Sequence, residues 1–527
     1  MTNSIREIED VPVIFVIGSN TTESHPVVSY FMKRAVKKGS RLIVADPRRI
    51  DLTRWATRHF QHRVGSDIAF LNAVMNEIIR NGWHDRDFIE KHTEGFEQLR
   101  ETVSRYTPEY AGEICGLRAD EIRELARILG TAEKVGLFYT LGITEHITGT
   151  DNVRSCANLQ ILLGNIGKAS AGVNPLRGQN NVQGACDMGV LPDVYTGYQK
   201  AAFPDVRRKF EAAWGIEKLP DGEGTKIPAM FDGIHHGDVR ALYLIGENVV
   251  MSEPNQAHTV SALKKVDLLI VQDIFMNETA EHAHVILPAA CFAETEGTFT
   301  NTERRVQRVR KAVEPPGLAR DDWWITAELA RRMGYDMGYT SAEQIWEEIR
   351  SVTPSMSGIA YRRIDHKGLQ WPCTDEQHSG TCYLYCDNVF PCGKATFRPA
   401  EWKPPAEVPD EEYPFVLTTG RRLWQYHTGT QTRKSGGFND ICPEEMIEVN
   451  PDDARGLDIR DGDYVFVFSR RGRLKVKAWV TDRVTPGLCF MTFHFSEACA
   501  NVVTNNAFDP IAGTAEYKAC AIRLERA

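Results

Sequence analysis

One arginine stands between a proline-led turn and a glycine, directly before a dense run of side-chain amides. The segment reads Asn174-Pro-Leu-Arg177-Gly-Gln-Asn-Asn-Val-Gln-Gly184-Ala-Cys-Asp-Met-Gly189. Pro, Gly and Asn interrupt regular backbone, so this composition favours neither a packed helix nor a strand. The planar fork of Arg177 matches a small carboxylate bidentately, which predicts an anion-binding residue. The alternative is a loop arginine in a solvent-exposed ion pair.

Length and composition exclude several classes of protein. The chain has 527 residues, of which 42% are hydrophobic and 25% charged, as in a globular protein of several domains. A formal net charge of -9 argues against nucleic acid as the main partner. No apolar run approaches the roughly 20 residues of a membrane span. With no signal peptide and no Cys-x-x-Cys pair among twelve cysteines, we expect a reduced, cytoplasmic compartment.

Two short apolar runs near the N-terminus predict a βαβ unit. The first, Val13–Ile17, ends at Gly18, and the second, Arg41–Ala45, ends at Asp46. An amphipathic stretch over residues 26–38 separates them. Strand, helix and strand in this order imply a parallel sheet.

The same pattern recurs further along the chain. The run 241–245 ends at Gly246, and the run 268–271 ends at Gln272-Asp273. Gly18 precedes Asp46 by 28 positions, and Gly246 precedes Asp273 by 27. A strand-end glycine lets phosphate approach the backbone, and an acid after the next strand can accept from ribose hydroxyls or guanine. The repeat therefore predicts two similar nucleotide-binding halves.

The sequence pattern of the C-terminal part predicts a β domain. Residues 413–419 read as a strand, and residues 464–468 and 473–477 flank a turn, which predicts a hairpin. A proline-rich stretch over residues 402–409 predicts a linker. We therefore expect three domains: α/β domains over 1–180 and 181–410, and a β domain over 411–527.

Other nucleotide and metal motifs do not fit. No Gly-x-Gly-x-x-Gly follows the first strand, and residues 164–169 lack the spacing of a P-loop, so they predict a helix end. His282 and His284 are expected to be core or surface residues, with metal ligation as the alternative. Cys382, Cys386 and Cys392 fit neither a zinc ribbon nor common iron–sulfur spacings, so we expect structural thiols, with a metal site as the alternative.

Three segments resemble a known protein family. They are the arginine loop, the stretch Glu294-Thr-Glu-Gly297-Thr-Phe-Thr-Asn301-Thr-Glu-Arg-Arg-Val-Gln307 and the stretch Phe493-His-Phe-Ser-Glu-Ala-Cys-Ala-Asn501. Over essentially its whole length the chain resembles the catalytic (alpha) subunit of molybdenum- or tungsten-dependent formate dehydrogenases, within the molybdopterin oxidoreductase superfamily. The resemblance implies two Rossmann-like α/β domains and a C-terminal β-barrel. It also implies reversible oxidation of formate to carbon dioxide at Mo or W held by two molybdopterin guanine dinucleotides.

The resemblance assigns roles by position. Arg177 would bind formate, and no residue of this chain is assigned to the metal. Contacts to the pterin nucleotides are implied for Gly18, Asn20, Glu23, Ser24, Asp46, Pro47, Arg48, Gly65, Asp67, Gln179, Gly246, Glu247, Gln272, Asp273, Asp322, Arg421, Tyr426, His427, Thr428, Asn501, Tyr517 and Lys518. The carboxylates and strand-end glycines among them have alternative roles as caps and turns.

The resemblance also implies an N-terminal region that this sequence lacks. In the family that region holds a 4Fe–4S cluster, a lysine, and a metal-ligating selenocysteine or cysteine followed by histidine. We expect that Met1 is not the true start and that an upstream UGA selenocysteine codon was read as a stop. Electrons would then pass to that cluster and to iron–sulfur partner subunits, and this chain alone would be inactive. The DNA before Met1 tests this expectation.

Two other functions remain open at this stage. The chain could be another molybdopterin oxidoreductase, such as a nitrate reductase relative. It could also be a non-catalytic subunit of an electron-transfer complex that keeps the fold without the metal. The arginine loop and an assay with formate distinguish the first alternative, and metal analysis distinguishes the second.

Overall fold

The computed structural model describes the whole chain, residues 1–527, as two compact units. The first unit comprises Met1–Leu176, Asn248–Ser261 and Tyr383–Ala527, and the second comprises Arg177–Glu247 and Ala262–Cys382. Both units are therefore discontinuous in sequence. The division at residues 180 and 410 stays a prediction. None of the helices has the length and apolar character that crossing a membrane requires.

A five-stranded parallel sheet organises the N-terminal part of the first unit. Its order is Arg58–Phe60, Arg41–Ala45, Val13–Ile17, Val135–Tyr139 and Val173–Pro175. Alternate side chains of the central strand enter two cores, with Phe15 in one and Ile14 and Val16 in the other. A strand buried on both faces reads as a continuous apolar run. The predicted βαβ unit is thus confirmed, with the helix at Pro26–Lys37.

Helices cover both faces of this sheet. Asp67–Arg80 is buried along most of its length, because apolar residues occupy nearly every side of it. The helices of this part are Thr21–Ser24, Pro26–Lys37, Asp67–Arg80, Arg86–His92, Phe96–Ser104, Pro108–Cys115, Ala119–Gly130, Leu141–Thr144 and Gly149–Leu162. Gly164, which is left-handed at φ +63°, follows the last of them, so the predicted helix end is confirmed.

A closed β-barrel forms the C-terminal part of the first unit. Its strands follow the order Phe415–Gly420, Leu488–Thr492, Met446–Val449, Arg473–Val480, Tyr464–Phe468 and Cys520–Arg526. The predicted hairpin is confirmed, with Val465 opposite Val476. The remaining elements of this unit are the strands Thr93–Glu94 and Ala395–Thr396, and the helices Val249–Ser252, Gly436–Ile441 and Pro451–Gly456; Gln256–Leu263 begins in it.

The second unit contains a smaller parallel sheet, in the order Val285–Pro288, Leu268–Asp273 and Ala241–Ile245. The predicted second strand pair is therefore confirmed. An antiparallel sheet of Gly297–Thr300, Arg305–Val309 and Leu369–Gln370 lies in the same unit. Its other elements are the helices Val182–Asp187, Pro204–Trp214, Ile227–His236, Asp322–Arg332 and Ala342–Val352, and the strands Val194–Tyr195 and Gln199–Lys200. The predicted fold class, two parallel-sheet α/β parts and a C-terminal barrel, is confirmed.

The prediction of irregular backbone over residues 174–189 is wrong in two places. Val173–Pro175 is an edge strand of the first sheet, paired with Val135–Tyr139. Val182–Asp187 is a short helix. In this helix the Nε2 of Gln183 donates to Oδ1 of Asp187 at 2.7 Å, so a bond between residues four apart supports a sequence of low helix propensity.

Candidate functional site

Hydrogen bonds within the second unit hold the loop that carries Arg177. The backbone N–H of Arg177 donates to Oγ1 of Thr302 at 3.1 Å, and its Nε donates to Oε1 of Gln183 at 3.2 Å. Oδ1 of Asn181 accepts from the backbone N–H of Thr300 at 2.9 Å. Two of the residues that brace the loop therefore come from the 294–307 stretch. The sequence singled out both segments but not their contact.

Behind Gln183 lies a buried polar network that sequence reasoning missed. The carboxylate of Asp187 is fully buried. Its Oδ1 accepts from Nε2 of Gln183 at 2.7 Å and from the hydroxyl of Tyr198 at 2.9 Å, and its Oδ2 accepts from Nε1 of Trp371 at 2.6 Å. Burial raises the pKa of Asp187, and these three donors oppose that rise. The only sequence signal was the four-residue spacing of Gln183 and Asp187.

The parallel sheet of the second unit brings three predicted nucleotide residues together. Gln272 and Asp273 end the strand Leu268–Asp273, and Nε2 of Gln272 donates to Oδ1 of Asp322 at 2.6 Å. Asp273 accepts from the N–H of Ile274 at 2.6 Å and from Nδ2 of Asn277 at 2.9 Å. Burial raises the pKa of both carboxylates.

Gly246 follows the neighbouring strand in the left-handed conformation, at φ +64°, and Glu247 comes next. The N–H of Gly246 donates to the carbonyl of Gln272 at 2.8 Å. A side chain built on Gly246 would meet no protein atom within 4 Å. The backbone at this strand end is therefore open to approach, as a nucleotide phosphate requires. Gln179 lies in the arginine loop of the same unit.

In the first unit, Gly18 ends the central strand at φ +56° and packs directly on Gly142, whose N–H donates to its carbonyl at 3.1 Å. A Cβ at Gly18 would lie 2.8 Å from the carbonyl carbon of Gly142, so the position requires glycine. Asp46 ends the next strand, followed by Pro47, and its carboxylate accepts from the N–H of Arg48 at 2.9 Å. Burial raises the pKa of Asp46.

Gly65 and Asp67 precede and begin the buried helix Asp67–Arg80. Gly65 is left-handed, at φ +73°. Oδ1 of Asp67 lies 3.1 Å from Nε2 of His62, and both side chains are buried. Burial alone would raise the pKa of Asp67, but the hydrogen bond and charge of His62 outweigh it and lower that pKa.

Two predicted cofactor residues of the first unit have charged partners within the chain. Arg48 pairs with Glu448, which lies on a barrel strand, and Glu23 accepts from Nη2 of Arg483 at 2.9 Å. These ion pairs join the edge of the parallel sheet to the barrel. Ser24, in the short helix Thr21–Ser24, donates its N–H to the carbonyl of Asn20 at 3.0 Å.

The barrel residues form a second cluster within the first unit. Nζ of Lys518 donates to the carbonyl of Thr419 at 2.9 Å and lies 2.6 Å from Oε2 of Glu145. The hydroxyl of Tyr517 donates to the carbonyl of Ser252 at 2.8 Å. Asn501 also holds this segment, since its Nδ2 donates to the carbonyls of Met251 and Ser252 at 2.8 and 3.0 Å.

His494 fixes the loop that carries Arg421, Tyr426, His427 and Thr428. Its Nε2 accepts from the N–H of Arg422 at 3.0 Å, so its Nδ1 carries the proton and donates to the carbonyl of His427. Burial lowers the pKa of His494 to about 3 and that of His427 to about 4, with Arg421 reinforcing both. Both imidazoles are therefore neutral near pH 7. No local pattern distinguishes His494 from the other residues of the 493–501 stretch.

Two buried polar groups test whether this unit suits a large polar cofactor. Neither Nδ2 nor Oδ1 of Asn20 has a hydrogen-bond partner in the protein, and the buried Nε atom of Arg421 has none either. Buried polar groups in proteins are nearly always bonded. Burial also lowers the pKa of Arg421, which the charge of Glu145 only partly offsets. Donors and an acceptor without protein partners, on residues assigned to pterin nucleotides, fit that group.

Comparison with known proteins identifies the family. The family model described as Molybdopterin oxidoreductase matches residues 1–332, and that described as Molydopterin dinucleotide binding domain matches residues 415–521. The chain belongs to the molybdopterin oxidoreductase family. It is an oxidoreductase, as predicted, and its family assignment from the sequence is confirmed.

Relatives of this molybdopterin oxidoreductase include formate dehydrogenase subunits. It is 48% identical to the F420-dependent formate dehydrogenase subunit alpha of Methanocaldococcus jannaschii, over 100% of this chain and 78% of that protein. It is 41% identical to formate dehydrogenase H of Escherichia coli, over 100% of this chain and 74% of that protein. The structure of acetylene hydratase from Pelobacter acetylenicus matches with a TM-score of 0.77 at 19% identity, over 99% of this chain and 81% of that chain, which shows the shared fold.

None of the twelve cysteines of this molybdopterin oxidoreductase forms a disulfide. Cys382, Cys386 and Cys392 are exposed, and their role as structural thiols stays a prediction. Among residues 1–527, no three His, Cys, Asp or Glu side chains are grouped as metal ligands.

Proposed function

We propose that this chain is the catalytic subunit of a formate dehydrogenase. It would interconvert formate with carbon dioxide, a proton and two electrons at Mo or W held by two molybdopterin guanine dinucleotides. The observation that carries the proposal is the braced Arg177, whose backbone is bonded to Thr302 and whose Nε is bonded to Gln183. The printed functions of the relatives support it, since those at 41–48% identity over the whole chain are formate dehydrogenases.

Arg177 would bind the carboxylate of formate and orient its C–H bond. A guanidinium is permanently charged and planar, so it holds a planar carboxylate by charge and by geometry together. Holding the substrate in a reactive orientation lowers the barrier by reducing the entropy lost on reaction. When bound, the metal–pterin group would supply the two-electron chemistry. Electrons would then leave to an iron–sulfur carrier.

The chain's own residues would hold the two nucleotides. In the first unit, Gly18 holds the strand end against Gly142, Asp46 supplies a carboxylate, and Asn20 and Arg421 supply polar atoms without protein partners. In the second unit, Gly246, Gln272, Asp273 and Asp322 repeat the glycine-and-acid arrangement at the end of a parallel strand. A carboxylate at such a position can accept from ribose hydroxyls or from guanine.

The assembled enzyme from its native host tests the proposal. Formate should reduce a viologen or quinone dye in proportion to metal content, whereas nitrate should not reoxidise the reduced dye. Acid extraction should release two guanine nucleotides for each metal ion. Turnover of nitrate without turnover of formate, or the absence of molybdenum and tungsten from the pure enzyme, would contradict it.

A further inference from the structure

The amide of Gln183 has only one orientation that satisfies its surroundings. Its Nε2 lies 2.7 Å from Oδ1 of Asp187 and 2.9 Å from the hydroxyl of Tyr198. A carboxylate only accepts, so it requires the NH2 side of the amide to face it. The carbonyl side, Oε1, must then face Arg177, where it accepts from Nε at 3.2 Å. Asp187 thus determines which end of the amide Arg177 meets.

Asp187 itself is fixed by its other donors. The hydroxyl of Tyr198 donates to the same Oδ1 at 2.9 Å, and Nε1 of Trp371 donates to Oδ2 at 2.6 Å. Both Asp187 and Gln183 are buried, so these bonds are not exchanged with water. Gln183 and Asp187 share one short helix, which holds their spacing. The network therefore forms a rigid support reaching from Trp371 to the guanidinium.

The bond to Nε decides how Arg177 can meet a ligand. A guanidinium offers a carboxylate two bidentate edges, one that includes Nε and one formed by the two terminal nitrogens. Oε1 of Gln183 engages Nε. Gln183 therefore sets the plane in which the guanidinium of Arg177 lies.

We propose that Asp187 is a positioning residue for substrate binding: through Gln183 it orients the guanidinium of Arg177 that holds the carboxylate. This inference rests on the proposed function, because it takes formate as the ligand of Arg177. Asp187 does not itself touch substrate. Its side chain lies two hydrogen bonds from the guanidinium of Arg177 and therefore three from the bound carboxylate.

Replacing Asp187 by asparagine gives a discriminating test. In D187N one of the two oxygens becomes an NH2 group, which must face either Trp371 Nε1 or the Gln183 and Tyr198 donors. If the NH2 group faces Trp371, it opposes the donor Nε1. If it faces Gln183 and Tyr198, it opposes their donors, and the amide of Gln183 must then turn away from Arg177. The W371F substitution removes one donor, so the asparagine of D187N/W371F can keep its oxygen on Gln183. The double variant should therefore regain what the single variant loses.

The assay measures the KM of formate, the KM of the electron-accepting dye, and kcat per metal ion in the assembled enzyme. D187N should raise the formate KM about tenfold, the effect of losing one good hydrogen bond, and leave the dye KM unchanged. D187N/W371F should return within about threefold of W371F. D365N, which alters an exposed carboxylate of the same unit, should match the unmodified enzyme.

Three outcomes would overturn the inference. The formate KM of D187N could equal that of D365N, the double variant could be no better than D187N, or formate and dye KM could rise together as in general damage. If D187N does not fold, Y198F decides, because it removes one donor to Asp187 and should raise the formate KM about threefold. R177K separates the two proposals. A normal formate KM in R177K contradicts the proposed function, whereas a raised KM in R177K with normal D187N contradicts only the role of Asp187.

Discussion

Arg48 and Glu448 lie 400 positions apart and form a two-point ion pair, with Nε to Oε2 at 3.2 Å and Nη2 to Oε1 at 2.7 Å. Their side chains are only 7% and 1% exposed, and the guanidinium stacks on the ring of Phe490 at 3.3 Å. The pair connects the parallel sheet to the barrel within the first unit.

The E448Q variant should destabilise the protein, because it leaves the buried charge of Arg48 uncompensated. Breaking a buried pair in this way costs roughly 3 kcal/mol or more. Denaturant-induced unfolding, monitored for the barrel, measures the loss. E444Q is the matched control, since Glu444 pairs with Lys477 at 2.9 Å where both side chains are about one-third exposed. It should cost less than about 1 kcal/mol. Equal losses in the two variants would show that the Arg48 pair has no special role.

Replacement by alanine should affect the stability of the cofactor-free protein at Asn501 but not at Asn20. Asn501 donates to Met251 and Ser252 and accepts from Thr504 at 3.1 Å, so N501A should lower the melting temperature even without cofactor. The amide of Asn20 has no partner in the protein. N20A should therefore leave the cofactor-free protein as stable as before and reduce the pterin and metal bound per chain. A large loss of cofactor-free stability in N20A would contradict its assignment to the cofactor.

The neutral, buried His494 should make stability depend on pH. Its pKa falls from 6.5 to about 3 on folding, because burial disfavours the charged ring. The unfolded chain then binds more protons, so the contribution of His494 is complete above about pH 6.5 and is lost as the pH falls towards 3. Melting temperatures at pH 7.5, 6.5 and 5.5 should drop more steeply in the unmodified protein than in H494Q. Replacing the exposed His366 serves as the control. Parallel slopes in H494Q and the unmodified protein would contradict this reading.

Local sequence patterns predicted seven of the 21 strands of the fold. Val13–Ile17 and Arg41–Ala45 were visible because a strand buried on both faces is uniformly apolar, and the barrel hairpin because its strands alternate around a turn. The segment 174–189 was misjudged, since strand pairing and the bond from Gln183 to Asp187 overrode the local preference of its Pro, Gly and Asn residues.

Contacts between distant segments could not be predicted from local sequence patterns. Nothing in the sequence near Arg48 indicates Glu448, and nothing near Asp187 indicates Trp371, because such pairs depend on how separate elements pack. The discontinuous units have the same cause, since the chain leaves the first unit after Leu176 and returns at Asn248. Arg177 was found because its family motif is local, whereas its supports Thr302 and Gln183 became evident only in the fold.

The most direct test of the proposed function is the kcat/KM of the assembled enzyme for formate in the R177A variant, normalised to bound metal. Losing a charge-assisted carboxylate contact should lower this kcat/KM at least 100-fold, because such a contact is worth roughly 3 kcal/mol. R310A, which removes an exposed arginine of the same unit, should change it less than about twofold. If R177A retains the formate kcat/KM of R310A, Arg177 does not bind the substrate and the account of this loop is wrong.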